Sequence, residues 1–276
     1  MMERDSMAEF KAERIPSAAF FDVDGIADPE SSLPHMLPSE DTFSAAMDAF
    51  EITKETPVVV YDGKGIFSSP RVWWTLRVFG HERVAVLDGG LPAWKSGGFP
   101  IDASSINDSD IAAPAVAATS KSNNGGLVYE ASLDKSQVRS FDEMIEIVQS
   151  GDPEGDLVVD ARPAGRFDGI APEPRAELRR GRMPGSVNVP FTSLISEDGS
   201  MKSPEELKLV LVEAGVDLNK QLVLSCGSGL TACVVALASH LVGHDNTAVY
   251  DGSWSEWGSR EDTPIEKSAT AESAVV

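Results

Sequence analysis

The segment Cys226-Gly-Ser-Gly-Leu-Thr-Ala232 is the part of the chain best equipped for chemistry. It follows the apolar run Leu222-Val-Leu-Ser225 and leads into residues 230–242, which are apolar on most sides. A strand that feeds a helix puts the segment at the carboxyl end of a sheet, where open α/β sheets bind their ligands. Gly227 and Gly229 let the backbone curl so that successive N–H groups point inward, and the helix N-terminus adds partial positive charge behind them. Such a cradle suits an anion. A cysteine at its mouth should ionise easily, because thiols so placed have pKa values of roughly 3.5–7.5 rather than about 8.5. Cys226 is then a nucleophile, or else an inert buried cysteine, the usual fate of a free thiol. A phosphatase loop would carry Arg six residues after the cysteine to clamp phosphate. That position is Ala232, which counts against phosphate chemistry. The alternative occupant is a sulfur anion, a persulfide on Cys226.

Other chemistry-bearing residues offer less. Cys233 lies seven residues after Cys226, about two turns along the next helix, and reads as a buried helix-face residue; a disulfide with Cys226 is its alternative. His240 and His244 have a spacing that could hold a metal on a helix. Gly243 ends that helix between them and no Glu follows His240, so no metal is expected. Trp73, Trp74, Trp94, Trp254 and Trp257 suit the core and the domain interface better than a ligand. Among the basic residues, Arg175, Arg179, Arg180 and Arg182 crowd a short stretch of a chain whose net charge is −21. Local positive potential on such a background would focus a small anion.

The elements that position the loop occur twice. Val58-Val-Val-Tyr-Asp62-Gly-Lys-Gly65-Ile66 matches Leu222-Val-Leu-Ser-Cys226-Gly-Ser-Gly229-Leu230, and Val86-Leu-Asp88-Gly-Gly-Leu-Pro-Ala-Trp94 matches Val249-Tyr-Asp251-Gly-Ser-Trp-Ser-Glu-Trp257. Upstream, Arg14-Ile-Pro matches Arg182-Met-Pro, and the separations agree along the chain. Two homologous domains follow. In the second, Leu157–Asp160, residues 187–189, Leu222–Ser225 and residues 248–250 read as buried parallel strands, and Ser203-Pro204-Glu-Glu206 opens a helix with a capping box. Alternating strands and helices predict an α/β domain with a parallel sheet. The counterpart of the strand at Leu157 would fall before residue 1 of the first domain. A truncated or alternatively started chain is the simplest expectation. By composition, residues 1–103 form the first domain, 104–126 a linker, 127–261 the second domain and 262–276 a frayed polar tail.

Composition narrows the partners. With 44 Asp and Glu against 23 Lys and Arg, the surface repels phosphate backbones and anionic lipid, so neither nucleic acid nor membrane is expected. Apolar runs fall well short of the ~20 residues needed to span a bilayer. Glu3, Asp5 and Glu9 stand where a signal or transit peptide would be acid-poor. Two cysteines cannot build a disulfide framework, which points to a reduced, cytoplasmic protein.

Taken together, these motifs resemble the two-domain sulfurtransferases of the rhodanese superfamily, over roughly residues 14–258. The loop Cys-Gly-Ser-Gly-x-Thr-Ala is similar to that of the mercaptopyruvate branch, since thiosulfate enzymes carry basic residues straight after the cysteine. Further similar segments are Ser32-Leu-Pro-His-Met-Leu-Pro38, Pro70-Arg-Val-Trp-Trp74, Gly80-His81, Gly165-Arg-Phe167, Pro172-Glu-Pro-Arg175 and Tyr250-Asp-Gly-Ser-Trp254. Arg182, before Pro184, departs from the family's usual His.

The resemblance implies two tandem rhodanese-like α/β domains, each a parallel sheet flanked by helices, the first truncated at its N-terminus. The missing strand would lie between strands at residues 19–22 and 58–61. Cys226 would accept the sulfur, cradled by Gly227, Ser228, Gly229, Leu230, Thr231 and Ala232. Arg166 and Arg175 would bind the substrate carboxylate and keto oxygen, unless they are plain surface charge. Ser228, His35 and Asp24 would form a proton relay; capping of the next helix and surface decoration are the bland uses of Ser228 and His35. Asp62 replaces the cysteine in the first repeat, leaving one active site per chain. No cofactor is implied. The donor would be 3-mercaptopyruvate, and the acceptor thioredoxin, a small thiol such as glutathione, or cyanide. Two alternatives stay open: a thiosulfate:cyanide sulfurtransferase, and an inactive sulfur-carrier or binding module. A mitochondrial location is the alternative to the cytoplasm if a transit peptide went with the missing segment.

Overall fold

The computed structural model describes residues 4–107, 111 and 129–269. The chain divides into two compact units. One runs to Asp134 and takes in residues 198–200; the other comprises Lys135–Glu197 and the residues from Met201 onward. No described helix is long and apolar enough to cross a membrane.

In the first unit, helices α1 (Ser6–Ala12) and α2 (Glu40–Ala49) precede strand β1 (Val58–Val60), helix α3 (Ser69–Val78), strand β2 (Val84–Val86) and helix α4 (Gly90–Ser96). Helix α2 begins where the Ser39 hydroxyl accepts the Thr42 N–H, with Glu40 and Asp41 facing the positive end of the helix. Phe43, Ala46 and Met47 form its buried stripe, at the i, i+3, i+4 spacing of one helix face. Phe43 stacks on Phe79 with ring centroids 4.3 Å apart, and Tyr129 meets Phe43 edge-on. Tyr129 therefore belongs to the first core. The second unit starts at Lys135 rather than at residue 127, because aromatic packing carries the chain back onto the first unit after the polar stretch. Most of the linker expected over 104–126 lies outside the described residues.

The second unit holds strand β3 (Val138–Arg139), helix α5 (Phe141–Ser150), strand β4 (Leu157–Asp160), helix α6 (Ala164–Phe167), strand β5 (Val187–Asn188), helix α7 (Pro204–Glu213), strand β6 (Leu222–Ser225), helix α8 (Ala232–Leu241), strand β7 (Thr247–Tyr250) and helix α9 (Ser253–Trp257). The strands pair in parallel in the order β3-β7-β6-β4-β5. The α/β architecture and the expected strands are present, each within a residue or two. Strand β3 was not expected; two half-buried residues leave no apolar run to read. The Ser203 and Glu206 capping box starts α7 as expected.

Strand β6 is buried at all four positions, between β7 and β4. Its counterpart β1 has β2 on one side only among the described residues, and Val59 is 62% exposed. The counterpart of β4 is thus absent from the described first unit, as the repeat implies. Residues 19–22, expected as a strand, are irregular. In the second unit β5 pairs only with β4, so without that neighbour their backbone has no ladder to join.

The repeat runs further than the sequence suggested. Trp94 Nε1 donates to Pro100 O at 2.8 Å, and Trp257 Nε1 donates to Pro264 O at 3.0 Å. An antiparallel bridge joins Arg14 to Asp102 and another joins Arg182 to Glu266. Residues 262–269, expected to fray, are therefore docked on the second unit, with Thr263 buried. Arg182 lies over the Phe167 ring at 5.0 Å, within 3.6 Å of Glu266 and 3.5 Å of Asp168. Residues 270–276 lie outside the described residues.

Candidate active site

Cys226 follows β6 directly, so the sheet presents its thiol at the carboxyl end of a central strand, ahead of α8. The side chain is buried. The loop turns on Gly229, whose φ of +73° suits a residue without a Cβ. Helix α9 ties the loop down from the far side. Trp254 N–H donates to Cys226 O at 3.0 Å, and both the N–H and the hydroxyl of Ser255 donate to Gly227 O.

Two N–H donors of the loop are already engaged. The Ser253 hydroxyl accepts from Cys226 N–H at 3.1 Å and from Gly229 N–H at 3.0 Å, while donating to Tyr250 O. The Gly229 N–H, within the expected cradle loop, is committed to the Ser253 hydroxyl. The N–H groups of Gly227, Ser228, Leu230 and Thr231 meet no acceptor among the described residues. Cys233 sits buried in α8 with its thiol on Gly229 O at 3.3 Å, as a helix-face residue should. His240 pairs with Asp245, and Gly243 follows the end of α8 with a φ of +81°.

The first unit shows what this loop geometry holds. Asp62 stands where the second unit has Cys226. Its Oδ2 accepts from the N–H groups of Phe67, Ser68 and Ser69 at 2.8–3.0 Å and from the Ser69 hydroxyl at 2.8 Å; its Oδ1 accepts from Lys64 N–H at 2.8 Å. The loop ahead of α3 is closed around its own carboxylate. The first repeat thus carries a cradle of N–H groups that its own carboxylate fills.

Arg166 lies against the Cys226 loop, and Arg175 is linked to it through Ser255. Arg166, on α6, donates through Nε to Glu173 Oε2 at 2.9 Å and also through Nη2 to the same oxygen. A Cβ on Gly227 would stand 3.1 Å from Arg166 Nη2, so the guanidinium lies against the loop backbone. Arg175 Nη1 donates to the Ser255 hydroxyl at 2.6 Å, and that hydroxyl donates to Gly227 O at 2.6 Å. Behind them, Arg162 donates to Glu173 Oε1 at 2.7 Å, to both oxygens of Asp160 and to Gly181 O. Its guanidinium stacks 4.0 Å over Trp254. The basic stretch does not act together. Arg179 bonds Thr263 and the Gly258 and Trp257 carbonyls, and Arg182 holds the docked tail, so both serve the fold.

The loop stands in a domain that the chain carries twice, and both copies match one family. Residues 4–97 and 140–260 match the model of the rhodanese-like domain. The chain belongs to the rhodanese-like family. It is 42% identical over 269 residues to thiosulfate/3-mercaptopyruvate sulfurtransferase 1, mitochondrial, of Arabidopsis thaliana, covering 96% of this chain and 70% of that protein. It is 43% identical over 256 residues to 3-mercaptopyruvate sulfurtransferase of Rattus norvegicus, covering 92% and 80%. The crystal structure of the Tum1 protein from Saccharomyces cerevisiae superposes with a TM-score of 0.82 at 32% identity, covering 96% of this chain and 87% of that one.

The rhodanese-like site includes residues that sequence reasoning passed over. Ser253 is the clearest. Its φ of +49° is left-handed, and the repeat places Gly90, with φ of +53°, at the same position. A serine held where the other copy uses glycine carries a strain of about 1–2 kcal/mol, and its hydroxyl organises the cysteine loop. Ser253→Gly and Ser253→Ala lose the same hydroxyl, but only glycine relieves the backbone. The glycine variant should be more stable by about 1 kcal/mol, read from denaturant unfolding, while both variants lose activity. Equal stabilities would remove the strain from the account. Glu173, Arg162 and Asp160 were also missed. Charged residues beside a strand end or between prolines read as surface, and only the fold shows that they neutralise one another in the interior.

The expected relay residues fall into both units. In the first, His35 Nδ1 lies 2.6 Å from Asp24 Oδ1, a close contact that is poorly aligned as a hydrogen bond. His35 holds the Asp24 carboxyl below its usual range, by this contact and by its charge, against some desolvation. His35 has a left-handed φ of +61°, and its carbonyl accepts from the buried Arg71. Ser228 belongs to the cysteine loop of the second unit.

Proposed function

We propose that the protein is a sulfurtransferase that moves sulfur from 3-mercaptopyruvate through a persulfide on Cys226 to a thiol acceptor, releasing pyruvate. The observation that carries this reading is the buried Cys226 thiol on a loop whose Gly227, Ser228, Leu230 and Thr231 N–H groups meet no acceptor among the described residues, with Arg166 against Gly227 and Arg175 tied to it through the Ser255 hydroxyl. The two relatives described above bear names with the same activity.

In the first half-reaction the Cys226 thiolate attacks the donor sulfur. A sulfur–sulfur bond forms, the donor's carbon–sulfur bond breaks, and the electron pair leaves on pyruvate as its enolate. The proton of the donor thiol becomes the third hydrogen of the pyruvate methyl group, so charge and atoms balance. The arginines hold the carboxylate and keto oxygen, and the loop N–H groups hold the charge on the outer sulfur. Asp62, anionic in the matching loop, supports that last role. The relay of Ser228, His35 and Asp24 belongs to the same proposal as the route for the proton; the contact of His35 with Asp24 supports it. In the second half-reaction a thiol such as thioredoxin or glutathione, or cyanide, takes the outer sulfur.

The test is intact-protein and peptide mass spectrometry after 3-mercaptopyruvate alone. A gain of about 32 Da on the Cys226 peptide, lost on adding a thiol, is expected. A carrier without turnover would gain the mass from a persulfide donor but release no pyruvate. A thiosulfate enzyme would show the larger kcat/KM with thiosulfate. Loading at Cys233, or no loading, would end the proposal.

A further inference from the structure

We propose that Glu173 is a positioning residue that fixes the direction in which Arg166 meets an anion at the Cys226 loop. The argument starts from the residue's lack of freedom. Glu173 lies between Pro172 and Pro174, whose rings lock their own φ and restrict the residue before each. Its side chain is 1% exposed. Both carboxylate oxygens are committed: Oε1 to Arg162 Nη1, and Oε2 to Nε and Nη2 of Arg166. Arg162 cannot yield, because Asp160, Gly181 O and the Trp254 ring hold it on the other sides.

Arg166 therefore donates both of its fixed bonds along one edge of the guanidinium. The edge carrying Nε is spent on Glu173, and Nη1 is left to turn toward a ligand. Ordering a long side chain on binding costs about 0.5–1.5 kcal/mol, and here that ordering is complete beforehand. Glu173 also subtracts charge: Asp160, Arg162, Glu173 and Arg166 sum to zero. Glu173 could thus act by direction or by charge, and the two predict opposite results.

Glu173→Asp keeps the charge and draws the carboxylate back by about 1.5 Å, one carbon–carbon bond. Glu173→Gln keeps the length and removes the charge. Its amide must turn one N–H toward an arginine, and because Arg162 is the more tightly held, Arg166 is the one released. Cys226 alkylation by iodoacetate is compared with that by iodoacetamide, reagents of similar size that differ in the carboxylate. The ratio of the two rates reads the arginine's placement without assuming any sulfur chemistry. KM and kcat for 3-mercaptopyruvate give the second readout, which rests on the function proposed above.

With Glu173 as a positioning residue, both variants lower the iodoacetate-to-iodoacetamide ratio by roughly 3- to 10-fold and raise KM by a similar factor, with kcat within about threefold. Neither change adds to that of Arg166→Gln in the double variant. A Glu173→Asp variant like the wild type, with Glu173→Gln raising the ratio, would assign Glu173 a role in charge alone and overturn the proposal. So would an effect that persists without Arg166. If Glu173→Gln fails to fold, the Glu173→Asp ratio decides. A wild type that alkylates at Cys226 with a high ratio but forms no pyruvate would sink the proposed donor and leave the Glu173 test standing.

Discussion

Replacing Cys226 by serine is expected to abolish pyruvate formation from 3-mercaptopyruvate, lowering kcat/KM by about four orders of magnitude or more. The reason is specific to sulfur. The intermediate is a sulfur–sulfur bond, and a hydroxyl supplies neither that bond nor an anion at neutral pH. The loop itself should survive the change. Its ties run between backbone groups and Ser253, Trp254 and Ser255, and none of these hydrogen bonds uses the thiol. Loss of activity without loss of melting temperature is therefore the expected pair of observations. Cys233→Ser is the control: that thiol bonds Gly229 O inside α8 and takes no part in the proposed chemistry. Cys226→Ser retaining more than a few per cent of activity, or Cys233→Ser losing most of it, would move the nucleophile.

The second large effect lies in the first unit. Asp62→Ala leaves the N–H groups of Phe67, Ser68 and Ser69 at the head of α3, and that of Lys64, without their shared carboxylate. Hydrogen bonds to a charged group contribute about 1.5–3 kcal/mol each. Their losses overlap, so about 3 kcal/mol or more is expected for the set. Asp62→Asn should recover little, because both carboxylate oxygens accept and an amide must offer an N–H to one set of donors. Hydrogen exchange places the damage. Amides of α3 and β1 should lose protection, while those of β6 and α8 keep theirs. Uniform loss across both units would mean that Asp62 does not act locally. An unchanged Asp62→Ala would show that solvent replaces the carboxylate at no cost.

Much of this was legible from residue order. The buried strands of the second unit are continuous apolar runs, and the loop after β6 announces itself because cysteine, two glycines and an apolar helix stand in sequence. The repeat was readable through Trp94 and Trp257, where identities persist. It was not readable beyond them at Pro100 and Pro264, because there the two halves share a hydrogen bond to the indole across a one-residue difference in spacing. The polar residues 262–269 looked like a tail for the same reason: their anchor is the indole of Trp257 and the backbone of Arg182. Arg166 and Arg175 came from motif resemblance, while their holders, Glu173 and Ser255, are common polar residues whose meaning comes from long-range geometry. Tyr129 and the start of the second unit were hidden because one aromatic ring after a polar stretch carries no period.

The neutral sum of Asp160, Arg162, Glu173 and Arg166 has a consequence for how an anionic substrate arrives. A chain of net charge −21 surrounds that network, and the fold has spent Arg179 and Arg182 on carbonyls and carboxylates. At long range the net charge therefore makes the field repulsive to an anion. Ionic strength shortens that repulsion, with a Debye length near 10 Å at 0.1 M, while contacts at a half-buried guanidinium are screened much less. Encounter and capture respond to salt in different measure. Moderate salt helps the negative ligand approach a negative protein, and leaves recognition to bonds that begin only once it is within reach of Arg166.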